Sequence, residues 1–97
     1  MNGVTARVDA GGVLLLSGEV NFQTVPALME RALVLLANGA LHTLDFSAVT
    51  RADSAGLAWL VEMRREARAR GGDLVLRGVP AQLQSIARVC GVADLAQ

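Results

Sequence analysis

The chain has 97 residues, 53% of them hydrophobic and 19% charged, with nine basic residues balancing nine acidic ones. That is the size and composition of one small globular domain with a single core, spanning residues 1–97. A formal net charge of zero lacks the clustered cations through which nucleic-acid and anionic-membrane binders release counterions, so neither partner is expected. Aromatic residues make up only 3% and Tyr is absent, so the core must be built from Leu, Val and Ala. The lone cysteine, Cys90, cannot form an internal disulfide, which argues against a secreted disulfide scaffold. No apolar run approaches the roughly 18 residues of a membrane span, and no basic flank precedes a hydrophobic stretch at the N-terminus. The expectation is a soluble cytoplasmic domain.

Val4, Ala6 and Val8 alternate with Thr5 and Arg7, the period-two pattern of a half-exposed strand. Asp9-Ala10-Gly11-Gly12 reads as a turn and Val13-Leu14-Leu15-Leu16 as a more buried strand, which predicts an N-terminal hairpin. Val25, Leu28, Met29, Ala32, Leu35 and Leu36 share one face of a helix, with Thr24 as N-cap, Pro26 in the first turn and Asn38-Gly39 as its stop. Leu41 to Phe46 reads as a short strand. A second helix is predicted from Ser54 to Arg70, with Leu57, Leu60, Val61 and Ala67 facing the core and Gly71-Gly72 ending it. Leu74-Val75-Leu76 is another buried strand. Pro80 opens a third helix with Leu83, Ile86, Ala87 and Cys90 on one face, and Gly91 closes it. Strands alternating with helices predict a mixed, largely parallel sheet covered by helices, because parallel strands need helical crossovers.

Chemistry concentrates in Leu44-Asp45-Phe46-Ser47-Ala48-Val49-Thr50-Arg51-Ala52-Asp53-Ser54-Ala55-Gly56-Leu57. Here a strand is expected to end, polar residues to gather in a tight loop, and a helix to begin with Asp53, Ser54 and Gly56 at its mouth. One reading is helix capping, in which Asp or Ser accepts bonds from otherwise unpaired N–H groups and Gly56 lets the backbone pass close to a neighbour. The other uses the same physics for a signal: a helix N-terminus tolerates anions, so a phosphate on Ser54 would change the surface charge abruptly without breaking the fold.

Ala52-Asp53-Ser54-Ala55-Gly56 is one residue from the G-x-S-x-G nucleophile elbow. A hydrolase of that kind needs a histidine after the serine to serve as base. The only histidine, His42, precedes it, so no enzyme is expected. His42 has no Cys or His partner for a zinc site, and Gly11-Gly12 and Gly71-Gly72 lack the rest of a phosphate-binding loop, so no metal or cofactor is implied. Cys90 reads as a small core residue. Arg64, Arg65, Arg68 and Arg70 lie within helical reach of Glu62 and Glu66 and read as a solvated, partly paired face. Trp59 and Met63 share a flank at i, i+4 spacing beside the Ser54 loop. They either pack under a neighbouring helix or form an exposed anchor for a partner protein, a role in which Trp is enriched.

The element order resembles that of the STAS-domain family. Gly18-Glu19-Val20 follows the second strand, Asp45-Phe46-Ser47-Ala48-Val49 lies on the third, and Asp53-Ser54-Ala55-Gly56-Leu57 opens the second helix. The resemblance covers essentially the whole chain. It implies a mixed sheet with an N-terminal hairpin, covered on one side by helices, and a binding module without catalytic activity. In family members that antagonise anti-sigma factors, an anti-sigma kinase phosphorylates the serine after the Asp, which by position is Ser54. Those members usually carry an acidic residue where this chain has Asn21, and a bulky apolar pair where it has Arg51-Ala52. Gly18 to Val25, Val49 to Ala58 and Gly78 to Leu83 look instead like the MlaB branch, the cytoplasmic STAS subunit of a phospholipid-transporting ABC complex of Gram-negative bacteria. That resemblance implies an ABC ATPase subunit as partner and a membrane association only through it. The residues expected to bind the partner are Thr50, Arg51, Asp53 and Ser54, with Trp59 and Met63 from the flank beside the loop.

Overall fold

The computed structural model describes residues 3–89. Its elements are β1 (Val4–Val8), β2 (Val13–Val20), α1 (Val25–Ala37), β3 (Thr43–Ala52), α2 (Ser54–Ala69), β4 (Val75–Arg77) and α3 (Ala81–Val89). The strands form one sheet in the order β1-β2-β3-β4. β1 and β2 pair antiparallel as the expected hairpin, and β2, β3 and β4 run parallel. Alternation along the strands sends Leu14, Leu16, Leu44, Phe46 and Leu76 into one buried layer with Leu28, Leu57, Leu60 and Leu83 of the helices. Thr5, Arg7, Leu15, Val75 and Arg77, which fall on the alternate positions, are exposed. The architecture is thus the mixed sheet with helices on one side.

Two strands run further than their apolar runs suggest. β2 continues through Ser17, Gly18 and Glu19 to Val20. β3 begins at Thr43 and not Leu41, and carries on through Ser47 to Ala52, the stretch expected to be a loop. The two pair along this whole length. β3 spends two more residues than β2 doing so, with register shifts between Leu15 and Ser17 and between Gly18 and Glu19. Such bulges bend and twist a strand and interrupt its ladder only locally, so pairing resumes beyond each of them. Thr50, the extra residue at the second shift, donates its hydroxyl to the Gly18 carbonyl at 3.1 Å. At the first, Asp45 accepts the Ser47 N–H at 2.9 Å. Gly78, at a φ of 68°, lies so close to Ser47 that any side chain there would collide with it.

Smaller differences follow local chemistry. Thr24 precedes α1 but makes no side-chain cap. Its hydroxyl instead donates to the Glu19 carbonyl at 2.9 Å and accepts the Asn21 N–H at 2.9 Å. The Asn21 side chain accepts from the Gln23 and Thr24 N–H groups, an Asx turn that folds the chain into the helix. β4 is displaced one residue from the expected Leu74–Leu76, and α3 starts just after Pro80. Cys90 and Gly91, expected in and after α3, lie outside the described residues.

α2 packs against α1, α3 and β3 at once. A helix with neighbours on three sides buries a wider arc than a surface helix, whose apolar stripe spans little more than 100°. Of the two readings of Trp59 and Met63, packing under neighbouring helices holds and the exposed partner anchor is corrected: Trp59 is 1% exposed and Met63 0%. Trp59 meets Phe46 edge to face with ring centroids 6.1 Å apart. The basic end of α2 is paired, Arg65 with Glu62, Arg70 with Glu66, and Arg64 and Arg68 with Asp73.

Two predictions follow from this packing. Trp59→Ala is expected to destabilise the domain by about 3–5 kcal/mol through the cavity it leaves, read by urea denaturation. Trp59→Phe should cost far less, because the Trp59 Nε1 has no acceptor among the described residues and its removal relieves an unmade bond. If Trp59→Ala melted like wild type, the core assignment would fail. Asp45 is 8% exposed. The Ser47 hydroxyl, then the Ser47 N–H and Arg77, hold its carboxyl below the ordinary carboxylate value, although burial pushes it up. A depressed carboxylate adds stability above its unfolded pKa of about 3.9 and loses it as pH falls through the lower folded value. Asp45→Asn should therefore be less stable than wild type at pH 7, with the gap closing below about pH 4 in melting temperatures measured across pH.

Candidate functional site

The functional residues expected from the sequence converge where β3 hands over to α2. Only Asp53 separates the two elements. Its backbone is extended, with φ −121° and ψ −167°, and its carboxylate accepts the Ala55 N–H at 2.9 Å and the Gly56 N–H at 3.4 Å. Those are orphan donors of the first helical turn. The Asp53 N–H donates to the Val20 carbonyl at 3.2 Å, so the cap is also tied to the end of β2. Gly56 completes the junction. A Cβ there would stand 3.1 Å from both the Val20 side chain and its carbonyl, so the missing side chain is what lets α2 lie this close to the sheet.

Capping belongs to Asp53 alone. Ser54 is the first residue of α2 and is exposed, and its hydroxyl has no hydrogen-bond partner among the described residues. Thr50 and Arg51 are exposed on the last turns of β3's ladder, next to it. A cleft of about 190 Å³ opens beside them, lined by Glu19, Asn21, Arg51, Asp53 and Gln82. It sits at the carboxyl ends of parallel strands, where open α/β sheets place their ligand sites. Gln82, from the first turn of α3, accepts the Ala52 N–H through its side-chain oxygen at 3.2 Å and stitches that helix to the end of β3.

The structure therefore brings Thr50, Arg51, Asp53 and Ser54 together, and leaves Trp59 and Met63 beneath the surface. The exposed aromatic at this end is Phe22, 72% exposed in the turn between β2 and α1. Sequence reasoning passed over it because a turn residue belongs to no periodic face; an aromatic outside every predicted element was the available signal. His42 is exposed at the opposite end of β3 from Ser54, out of reach as a base. Among the described residues no group of His, Cys, Asp and Glu could hold a metal ion, and no helix is long and apolar enough to cross a membrane.

Known proteins can be set beside this geometry. The fold is similar to a putative anti-sigma factor antagonist from Thermotoga maritima, at 16% identity and a TM-score of 0.74, covering 97% of this chain and 83% of that one. It is similar to the Bacillus cell fate determinant SpoIIAA in its phosphorylated form, at 17% identity and a TM-score of 0.70, with 92% and 84% covered. An anti-sigma factor antagonist from Mycobacterium paratuberculosis is 28% identical, with a TM-score of 0.68 and 91% and 78% covered. Among curated proteins no sequence matches this chain. A family model described as Mlab, STAS domain, matches residues 4–97. With the sheet order, the helical layer and the Asp53-Ser54 junction all in place, the chain belongs to the STAS-domain family.

Proposed function

We propose that this chain is a non-enzymatic accessory subunit that binds the ATPase subunit of an Mla-type ABC transporter and supports phospholipid transport and outer-membrane lipid asymmetry. The match of residues 4–97 to the Mlab, STAS domain model carries this reading. The site supports a docking role over a chemical one. Ser54 presents at the surface a hydroxyl unbonded among the described residues, Asp53 is committed to the helix cap, and His42 stands at the wrong end of β3. Polar groups beside exposed apolar ones are the makings of an interface with an apolar core and a polar rim. In this reading Thr50, Arg51 and Ser54 meet the partner directly, Asp53 holds the loop that presents them, and Trp59 and Met63 act from below by fixing α2. The domain sits in the cytoplasm, against the inner membrane only through its partner.

A second reading is favoured by the 28% identical anti-sigma factor antagonist: a switch in which a kinase phosphorylates Ser54 and thereby releases the partner. The geometry serves this equally well. A phosphate on the first residue of a helix lies at the positive end of the dipole, and no bond of the Ser54 hydroxyl among the described residues has to be broken to receive it.

Ser54→Asp tests the site under both readings. The added charge is favoured at a helix N-terminus by about 0.3–1 kcal/mol, so the melting temperature should hold or rise. Against a partner the same charge is desolvated, which is costly without a counter-charge, so co-purification should be lost. Retention of the partner at wild-type levels would leave Ser54 a bystander. A pull-down from native cells with the wild-type chain then separates the readings, an ABC ATPase supporting the first and an anti-sigma kinase the second. The purified chain is further expected to hydrolyse neither ester nor nucleotide. Turnover abolished by Ser54→Ala would overturn the non-enzymatic reading.

A further inference from the structure

At its functional end β3 has a strand on one edge only. β4 pairs with it from Thr43 to Asp45, while β3 runs on to Ala52. From Phe46 onward, among the described residues, the edge away from β2 therefore has no strand beside it. Successive N–H groups of an extended chain point to opposite edges. The Asp53 N–H turns towards β2 and meets the Val20 carbonyl at 3.2 Å. The Ala52 N–H turns to the open edge. Ala52 is 4% exposed, and a donor at so buried a residue is costly to leave unpaired. The Gln82 side chain meets it with Oε1 at 3.2 Å, and only the oxygen of that amide can accept an N–H. One side chain does there what a strand would otherwise do.

α3 does not depend on this bond for its own place. Residues 78–80 alone connect it to β4, the Gln84 side chain donates to the Val79 carbonyl at 3.0 Å, and Leu83 and Ala87 are buried in the core. Gln82 itself is exposed. The bond thus fixes the end of the strand and not the helix. Resting on the reading of the Ser54 face as a docking surface, we propose that Gln82 is a positioning residue of that face. Its Oε1 holds Ala52 between Arg51 and the Asp53 cap, and so sets the place from which Thr50, Arg51 and Ser54 meet the partner. Without that oxygen the Ala52 N–H opens to the cleft of about 190 Å³ that Gln82 lines. The pairing with β2 and the Asp53 cap remain, so the loss falls on the precision of the docking face and not on the core.

Gln82→Met removes the oxygen while keeping side-chain length and helix propensity, and Gln82→Glu keeps an oxygen at the same reach. In the isolated chain, amide hydrogen exchange read by NMR should quicken at Ala52 about tenfold in Gln82→Met, the effect of one lost hydrogen bond. Exchange at Leu44, in the fully paired part of β3, should not change, and Gln82→Glu should restore the wild-type rate at Ala52. Affinity for the purified ATPase or kinase that the pull-down recovers should fall about fivefold in Gln82→Met. That loss should shrink on an Arg51→Ala background, the mark of a residue that acts through another. Unchanged exchange at Ala52, equal quickening at Leu44, no restoration in Gln82→Glu, or losses of affinity that simply add would each overturn the proposal. If Gln82→Met bound like wild type while Ser54→Asp released the partner, the positioning role would fall and the docking face would stand. If Gln82→Met weakened binding and Ser54→Asp did not, Gln82 would stand as the positioning residue of Thr50 and Arg51, and the role of Ser54 would fall. If both bound like wild type, both roles would fall.

Discussion

The whole site depends on how tightly β3 turns into α2. With one intervening residue there is no slack, so the last pair of the sheet, Val20 and Ala52, dictates where the helix begins and in which phase. Three contacts hold that turn: the Asp53 carboxylate on the Ala55 and Gly56 N–H groups, the Asp53 N–H on Val20, and the bare Gly56 backbone against Val20. Once the phase is set, Gly56, Leu57, Trp59, Leu60, Met63 and Ala67 turn inward. Ser54 and Ala58 are left outside. The exposure of Ser54 and the burial of Trp59 are two consequences of one constraint.

The same constraint reaches back along the sheet. β3 arrives at Asp53 two residues longer than the β2 segment it pairs with, and the excess is absorbed at its two register shifts. Asp45, Ser47 and Thr50 lie at or beside these shifts, each bonded across the irregularity or close to it. A regular ladder would bring different side chains to the end of the strand. Polar residues within β3 are therefore structural parts that aim the junction, which is why Asp45 is nearly buried and paired with Arg77 at 3.6 Å.

Much of this was legible in the sequence where periodicity or capping chemistry is strong. The alternation of Val4, Ala6 and Val8 and the helical spacing of Leu28, Ala32 and Leu36 each correspond to an observed element, and the capping chemistry read at Asp53-Ser54 falls to Asp53. What the sequence obscured has physical causes. Ser47 to Arg51 reads as loop because a bulged strand loses the two-residue alternation and fills with small and polar residues. The flank of Trp59 and Met63 reads as either covered or exposed because Leu57 and Leu60 already define a face. Only the placement of α2 between two other helices reveals that the flank is covered as well. Phe22 shows the converse, since nothing local marks a turn residue as the aromatic left uncovered.

Asp53 and Ser54 divide two tasks that a single residue could not perform together. A serine that capped the helix through its own hydroxyl would give up that bond on modification, and helix stability would then change with every change of surface charge. Here the carboxylate of Asp53 satisfies the first-turn donors, and the neighbouring hydroxyl is left outside the network that maintains the fold. Charge placed on Ser54 would then add to the helix N-terminus without removing a contact, because the dipole that favours Asp53 favours it too. The junction can therefore change what the surface presents while the domain beneath it stays the same. That separation of fold from surface is the property a reversible binding module needs, whichever partner reads it.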